Sequence, residues 1–192
     1  AFEPIENATV KYNPGDEITV TCALDQPLGR KNKLMVDAGY TVYSSDRVEG
    51  TEVFRAGNRI TLQGMLHMPG ERISWLFALR DRIRAKNKVG SGDLIPERQN
   101  SNGNELELSA KGFLPLNSYS TVHGLLEGRL YSNNAYEVGG ATVVGVGGGY
   151  SRSLSSHYLF HSDLCFYMGT MDFGTDYSIK GLRGSIGFKV VL

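Results

Sequence analysis

The strongest constraint on this chain is an alternation of apolar and polar residues that recurs along most of its length. In 34–42 the even positions are Leu34, Val36, Ala38, Tyr40 and Val42. In 60–68, Ile60, Leu62, Gly64, Leu66 and Met68 are set against Thr61, Gln63 and His67. The stretch 73–86 changes parity: Ile73, Trp75, Phe77, Leu79 and Ile83 point one way, and Ser74, Arg80, Arg82, Arg84 and Lys86 the other. Successive side chains leave a strand on opposite sides, so a period of two marks a strand with one apolar face. A helix over 71–86, after Pro69-Gly70, is the competing reading. A dozen residues of near-strict alternation favour the strand.

The pattern continues through Leu106, Leu108, Ala110, Leu114 and Leu116, set against Glu105, Glu107, Ser109 and Lys111. It continues again through Val122, Leu126 and Leu130, set against Thr121, His123, Glu127 and Arg129. Further strands are expected at 141–150, at 157–168 and at Ile186, Phe188, Val190 and Leu192, which makes eight, with no internal repeat. Short turns (Pro69-Gly70, Asn117–Ser120, Ser151–Ser156) alternate with longer connections rich in Gly, Asn, Asp and Ser at 44–59, 87–104, 132–140 and 169–178. Short connections on one rim and long ones on the other describe an all-β, up-and-down antiparallel barrel of about eight strands over 34–192. Residues 1–33 are an N-terminal extension, in which Ile18, Val20, Cys22 and Leu24 alternate as an extra strand or plug would.

Composition agrees with a turn-rich β-protein. The 192 residues include 24 Gly, 10 Tyr and 8 Phe, enough chain for one domain, or one with a small appendage. Lys+Arg and Asp+Glu both number 20, so no net charge draws in nucleic acid or an anionic membrane surface. No apolar run has the length of a membrane helix and no signal peptide is visible; the opening AFEP, without Met, is what a processed chain would show. The 2 cysteines, Cys22 and Cys165, lack metal or redox spacing. They are either one long-range disulfide or two buried thiols.

The same stripes permit two barrels. A soluble barrel turns them inward, whereas an outer-membrane barrel turns them to lipid and pairs its charges inside. Alternating loop lengths and balanced charge favour the membrane version. A single Trp, the cysteines and a final Leu192 favour the soluble one, which is the preferred expectation.

The stretch 128–145, GRLYSNNAYEVGGATVVG, is expected in a long connection between two strands. Gly139 and Gly140 permit positive φ or a bulge on re-entry to the sheet, Glu137 can accept backbone N–H groups, and Tyr131 can close the barrel end. That makes the stretch a structural corner. The run Val122, Gly124, Gly128, Tyr131, Ala135, Glu137, Val138, Gly139, Gly140 resembles the barrel signature of Gram-negative surface lipoproteins, the transferrin-, haemoglobin- and factor-H-binding group. The match covers about twenty residues, has Ser132 and Asn133 where the family differs, and lies earlier in the barrel than in that family. The resemblance implies a cell-surface or outer-membrane protein of a Gram-negative bacterium that binds a host molecule. Separately, YNPGDEITVTCALD resembles the first strand of chaperone–usher pilins, although the second cysteine comes too late for their bridge.

No nucleophile elbow, Walker loop or zincin motif occurs, and GVGGGY at 145–150 has no following helix to make it a dinucleotide fingerprint. Glu105 and Glu107 share one strand face, as solvated carboxylates do. His157, His161 and Asp163 share a face if 157–168 is one strand. However, i and i+4 on a strand lie roughly 13 Å apart, so a metal or haem site would need His123 or His67 from neighbours. The row Arg80, Arg82, Arg84 and Lys86 is a candidate for a sulfated glycan, lipopolysaccharide or an acidic protein, or for cross-strand pairing with Glu105 and Glu107. The expectation is a non-enzymatic extracellular binding protein whose long loops recognise a host macromolecule, glycan or haem in iron acquisition, with no resident metal. The alternatives are an integral outer-membrane barrel (adhesin or narrow pore) and a fimbrial or secreted adhesin.

Overall fold

The computed structural model describes residues 10–97, 102–132, 139–172 and 174–190. They form β1 (Tyr12–Asn13), β2 (Glu17–Leu28), β3 (Asn32–Tyr43), β4 (Asp46–Val48), β5 (Thr51–Arg55), β6 (Arg59–Met68) and β7 (Ser74–Arg84). These are followed by β8 (Lys88–Ser91), β9 (Asp93–Pro96), β10 (Gly103–Asn117), β11 (Ser120–Tyr131), β12 (Ala141–Ser153), β13 (Tyr158–Asp172) and β14 (Asp176–Val190). Nine of them make one antiparallel sheet in the order β14-β13-β12-β11-β10-β7-β6-β3-β2, so each strand lies beside its successor in that sheet. The all-β antiparallel expectation is met, and each of the eight anticipated strands is present.

The closed eight-strand barrel is not. The ninth strand, β2, comes from the N-terminal extension and pairs with β3 from Glu17↔Tyr43 to Leu28↔Asn32. Among the described residues β2 and β14 are the sheet's two edges, not partners. Nine antiparallel strands leave the first and last running the same way, so an all-antiparallel closure is ruled out by parity. An even count is what permits it.

The expected loops at 44–59 and 87–104 are also strands. They supply β4, β5, β8 and β9, which with β1 form a second sheet in the order β1-β4-β5-β8-β9. Period-two reading missed them because strands of two to five residues carry too few positions to alternate. The turn between β4 and β5 is Glu49-Gly50, with φ of 51° and 83°. Two consecutive positive φ values are what the two-residue hairpin turn matching strand twist requires. The connection at 169–178 is largely strand, with β13 and β14 paired as far as Asp172↔Asp176. Short turns thus join β2–β3, β6–β7, β10–β11 and β12–β13 at one end of the large sheet, and the small sheet belongs to the connections at the other.

Exposure inverts the preferred expectation about direction. Leu126, Val146, Leu164, Leu182 and Ile186 are 55–77% exposed, and Cys165 is the one buried apolar side chain among the described residues. The sheltered face is the polar one: the side chains of Glu107, Glu127 and His123 are 18%, 13% and 10% exposed. Cys22 belongs to the exposed apolar stripe and Cys165 to the polar face, so both are free and the disulfide is excluded.

The glycines of 145–150 explain how the polar face is filled. Gly145, Gly147 and Gly149 point to that face from β12, between bulky residues of β11 and β13. A Cβ at Gly149 would lie 2.5 Å from His123 Cε1 and 2.8 Å from Asp163 Oδ1, and one at Gly145 would lie 2.7 Å from the Tyr167 ring. The missing side chains leave room for flanking residues to meet over β12. Gly149→Ala is expected to cost about 1–3 kcal/mol in denaturant unfolding. Gly124→Ala, where a Cβ meets nothing within 4 Å, should change stability by less than about 0.5 kcal/mol. Equal effects would refute the spacing argument.

Candidate functional site

The polar face of the large sheet collects most of the chemistry-bearing residues. Register places Arg80 opposite Glu107 and Arg82 opposite Glu105, and Glu107 in turn opposite Arg129. Arg80 and Glu107 are ion-paired, Arg82 Nη2 is 2.6 Å from Glu105 Oε2, and Arg129 Nε is 3.4 Å from Glu107 Oε1. The network extends through Glu127, which has Arg129 at 3.6 Å and Arg183 at 3.8 Å. The Arg183 guanidinium also lies 5.2 Å from the centre of the Tyr167 ring.

Two of the four cations singled out from sequence are therefore held by carboxylates. Arg84 lies on the same face opposite Arg59. Lys86 lies beyond the end of β7, outside the row. Glu107 touches Arg80 and Arg129 while sheltered from solvent, so removing its charge leaves two guanidinium groups short of a partner. Glu107→Gln is expected to lower stability by about 1–3 kcal/mol, between the values for exposed and buried pairs. A double-mutant cycle with Arg80→Gln should show coupling, and additive effects would contradict the pairing.

The histidines separate. His157 precedes β13 in an exposed turn, with Nδ1 2.8 Å from Ser156 Oγ, so it does not share a strand face with His161. His161 sits on the polar face opposite Gly187, where a Cβ would lie 2.5 Å from its ring. His123 reaches across Gly149 to Asp163, with Nε2 and Oδ1 2.8 Å apart, and Ser185 Oγ donates to Asp163 Oδ2 at 3.4 Å. This cluster borders a cavity of about 200 Å³ that Lys111, Cys165 and Arg183 also line. His67 lies on β6 opposite Leu76, away from the cluster. No group of three or more His, Cys, Asp or Glu among the described residues could hold a metal ion.

Of the corner residues, Gly139 has φ of 68° just before β12, as re-entry to the sheet required. Tyr131 ends β11 opposite Glu105. Glu137 lies outside the described residues, and with it most of the 132–140 connection. Sequence reasoning gave no role to Arg59, Glu127, Tyr167 or Arg183. Their parity was visible, but which residues oppose them is a matter of register. No family model matches the chain and no curated protein matches it.

The small sheet is held by side chains as well as by its ladder. Tyr12 Oη donates to Asp46 Oδ2 at 2.6 Å, and the Gly15 amide donates to Asp46 Oδ1 at 2.7 Å. The Tyr12 hydroxyl, then the Gly15 amide, hold the Asp46 carboxyl below its ordinary pKa, and the same bond pushes the Tyr12 phenol up. A depressed carboxylate contributes stability that is present above its unfolded pKa of about 3.9 and lost as pH falls through the folded value. A raised phenol contributes below about 10 and loses its contribution as pH rises through its folded value. Following the Gly15 amide by NMR should give an Asp46 midpoint below about 3.9, rising towards that value in Tyr12→Phe. The same midpoint in both proteins would rule out the hydrogen bond.

Proposed function

We propose that this chain is a membrane-embedded β-protein of the outer-membrane type: its apolar face meets lipid, its charged face is turned inward, and the end bearing the small sheet recognises a partner outside. The observation that carries this reading is the inverted burial. A water-soluble fold of this length is stabilised by apolar area taken out of water. Here the apolar stripes are the exposed surface and the charged residues the sheltered one. Strand lengths support the reading, since the nine strands have 10 to 15 residues and a tilted spanning strand needs about 9–11.

The aromatic residues support it further. Trp75, Phe77, Tyr150, Tyr158, Phe160 and Phe188 all lie on the apolar face near the short-turn end. Trp75 stacks on Phe77 at 6.1 Å and Phe160 meets Phe188 at 5.3 Å. This is one interfacial belt built mainly from Tyr and Phe, which a count of Trp alone overlooked. Asp81 and Lys180, charged residues on the apolar face, lie a few residues from the opposite end of their strands, where the cost of charge falls towards the interface. Lipid does not tolerate open sheet edges, so the reading also requires β2 and β14 to gain backbone partners in the membrane. The ion-paired polar face argues against a wide pore, leaving recognition by the connection-bearing end as the activity.

Trp75 is the single Trp and faces outward, so its fluorescence is a direct test. In phosphatidylcholine vesicles, brominated acyl chains are expected to quench it strongly and aqueous iodide weakly. Val146→Arg, in the middle of the band, should cost about 2–4 kcal/mol in bilayers. Protein that is monodisperse without detergent and quenched by iodide alone would refute the proposal, as would a neutral Val146→Arg.

A further inference from the structure

We infer that the polar face carries a binding site for a phosphate- or sulfate-type oxyanion, built on Arg59, Arg82 and Arg84 at the end that bears the small sheet. The inference does not depend on the membrane reading, because these side chains lie on the polar face whatever covers the other one.

The site begins with an anomaly of register. Arg59 on β6 is directly opposite Arg84 on β7, and Arg82 is the next residue along the same face. Directly opposed residues have Cβ atoms about 4.5–5.5 Å apart, and like charges there destabilise a sheet. The neighbours offset them only in part. The Arg84 side chain has no ion pair or hydrogen bond among the described residues, and Arg59 has a single exposed ion pair, to Glu17 at 3.8 Å. Arg82 spends Nη2 on Glu105, leaving its Nε buried without a partner.

These groups open onto a cavity of about 370 Å³ whose described lining has three guanidinium groups and one carboxylate, Glu105. A water in liquid occupies about 30 Å³, so there is room for a polyatomic ion and the group attached to it. A neutral donor completes the wall. Ser132 Oγ accepts from the Asn104 amide at 3.1 Å, which leaves its own hydrogen to donate. Guanidinium forks together with a hydroxyl suit an oxyanion with several acceptor oxygens, which the forks bind pairwise. Such an ion would relieve the Arg59–Arg84 repulsion and satisfy the stranded Nε together.

The test uses the whole folded chain, in whichever detergent or buffer keeps it monodisperse. Inorganic phosphate and sulfate are titrated at constant ionic strength against chloride, with binding followed by calorimetry and thermal unfolding. Phosphate is expected to bind and raise Tm, with affinity at least tenfold weaker in Arg84→Gln and in Arg59→Gln. Without phosphate, either variant should be at least as stable as wild type, since each removes a like-charge contact; loss of stability in both would mark the arginines as structural and overturn the proposal. It is also overturned if phosphate has no more effect than chloride, or if both variants bind as wild type does. A parallel titration with phosphatidylglycerol in mixed micelles identifies the source: a preference for the lipid assigns the site to a headgroup phosphate, and a preference for the inorganic ion to a free anion.

Discussion

The large sheet depends on its backbone ladder. With Cys165 alone among the described apolar side chains buried, no packed interior holds the strands in place. What holds them is an uninterrupted sequence of antiparallel pairings, such as the one between β13 and β14 that runs from Tyr158↔Val190 to Asp172↔Asp176. Buried or lipid-covered backbone groups must be paired, and the ladder satisfies them strand by strand. Nearly every other feature follows from its register, because register decides which side chains face each other across it.

Charge is placed to suit that scheme. Glu105, Glu107 and Glu127 stand among Arg80, Arg82, Arg129 and Arg183 on the sheltered face, where each carboxylate has at least one cation within 4.0 Å. Partial burial is tolerable for such groups only with partners. The glycines of β12 belong to the same economy of space. By giving up their side chains they let His123 and Asp163 meet across a strand that lies between them. At the end bearing the small sheet the compensation thins: Arg59, with one exposed pair to Glu17, faces Arg84.

Much of this was legible as pattern. The parity of 73–86 put Arg80, Arg82 and Arg84 on one face, and the hairpin order of the chain brought Glu105 and Glu107 beside them. Gly139-Gly140 announced a corner, and Gly139 is where φ turns positive. The small sheet was not legible, since β4 has three residues and β8 and β9 four each, too few for a period to declare itself. Nor was the His123–Asp163 contact, which joins residues 40 positions apart over an intervening strand. His157 was misplaced onto a strand by a one-residue difference in where β13 begins.

The sequence alone pointed to an antiparallel β-protein with one apolar and one charged face, because a period of two sustained over segment after segment is the pattern of a strand and not of a helix. Alternation is symmetric, however: it separates the faces without saying which one is covered. Only the tertiary structure decided that the charged face is sheltered and the apolar one exposed. It also decided that a ninth strand joins the sheet and that the two cysteines lie on opposite sides. Those outcomes rest on register and strand count, which arise from pairing between distant segments and have no expression in local order.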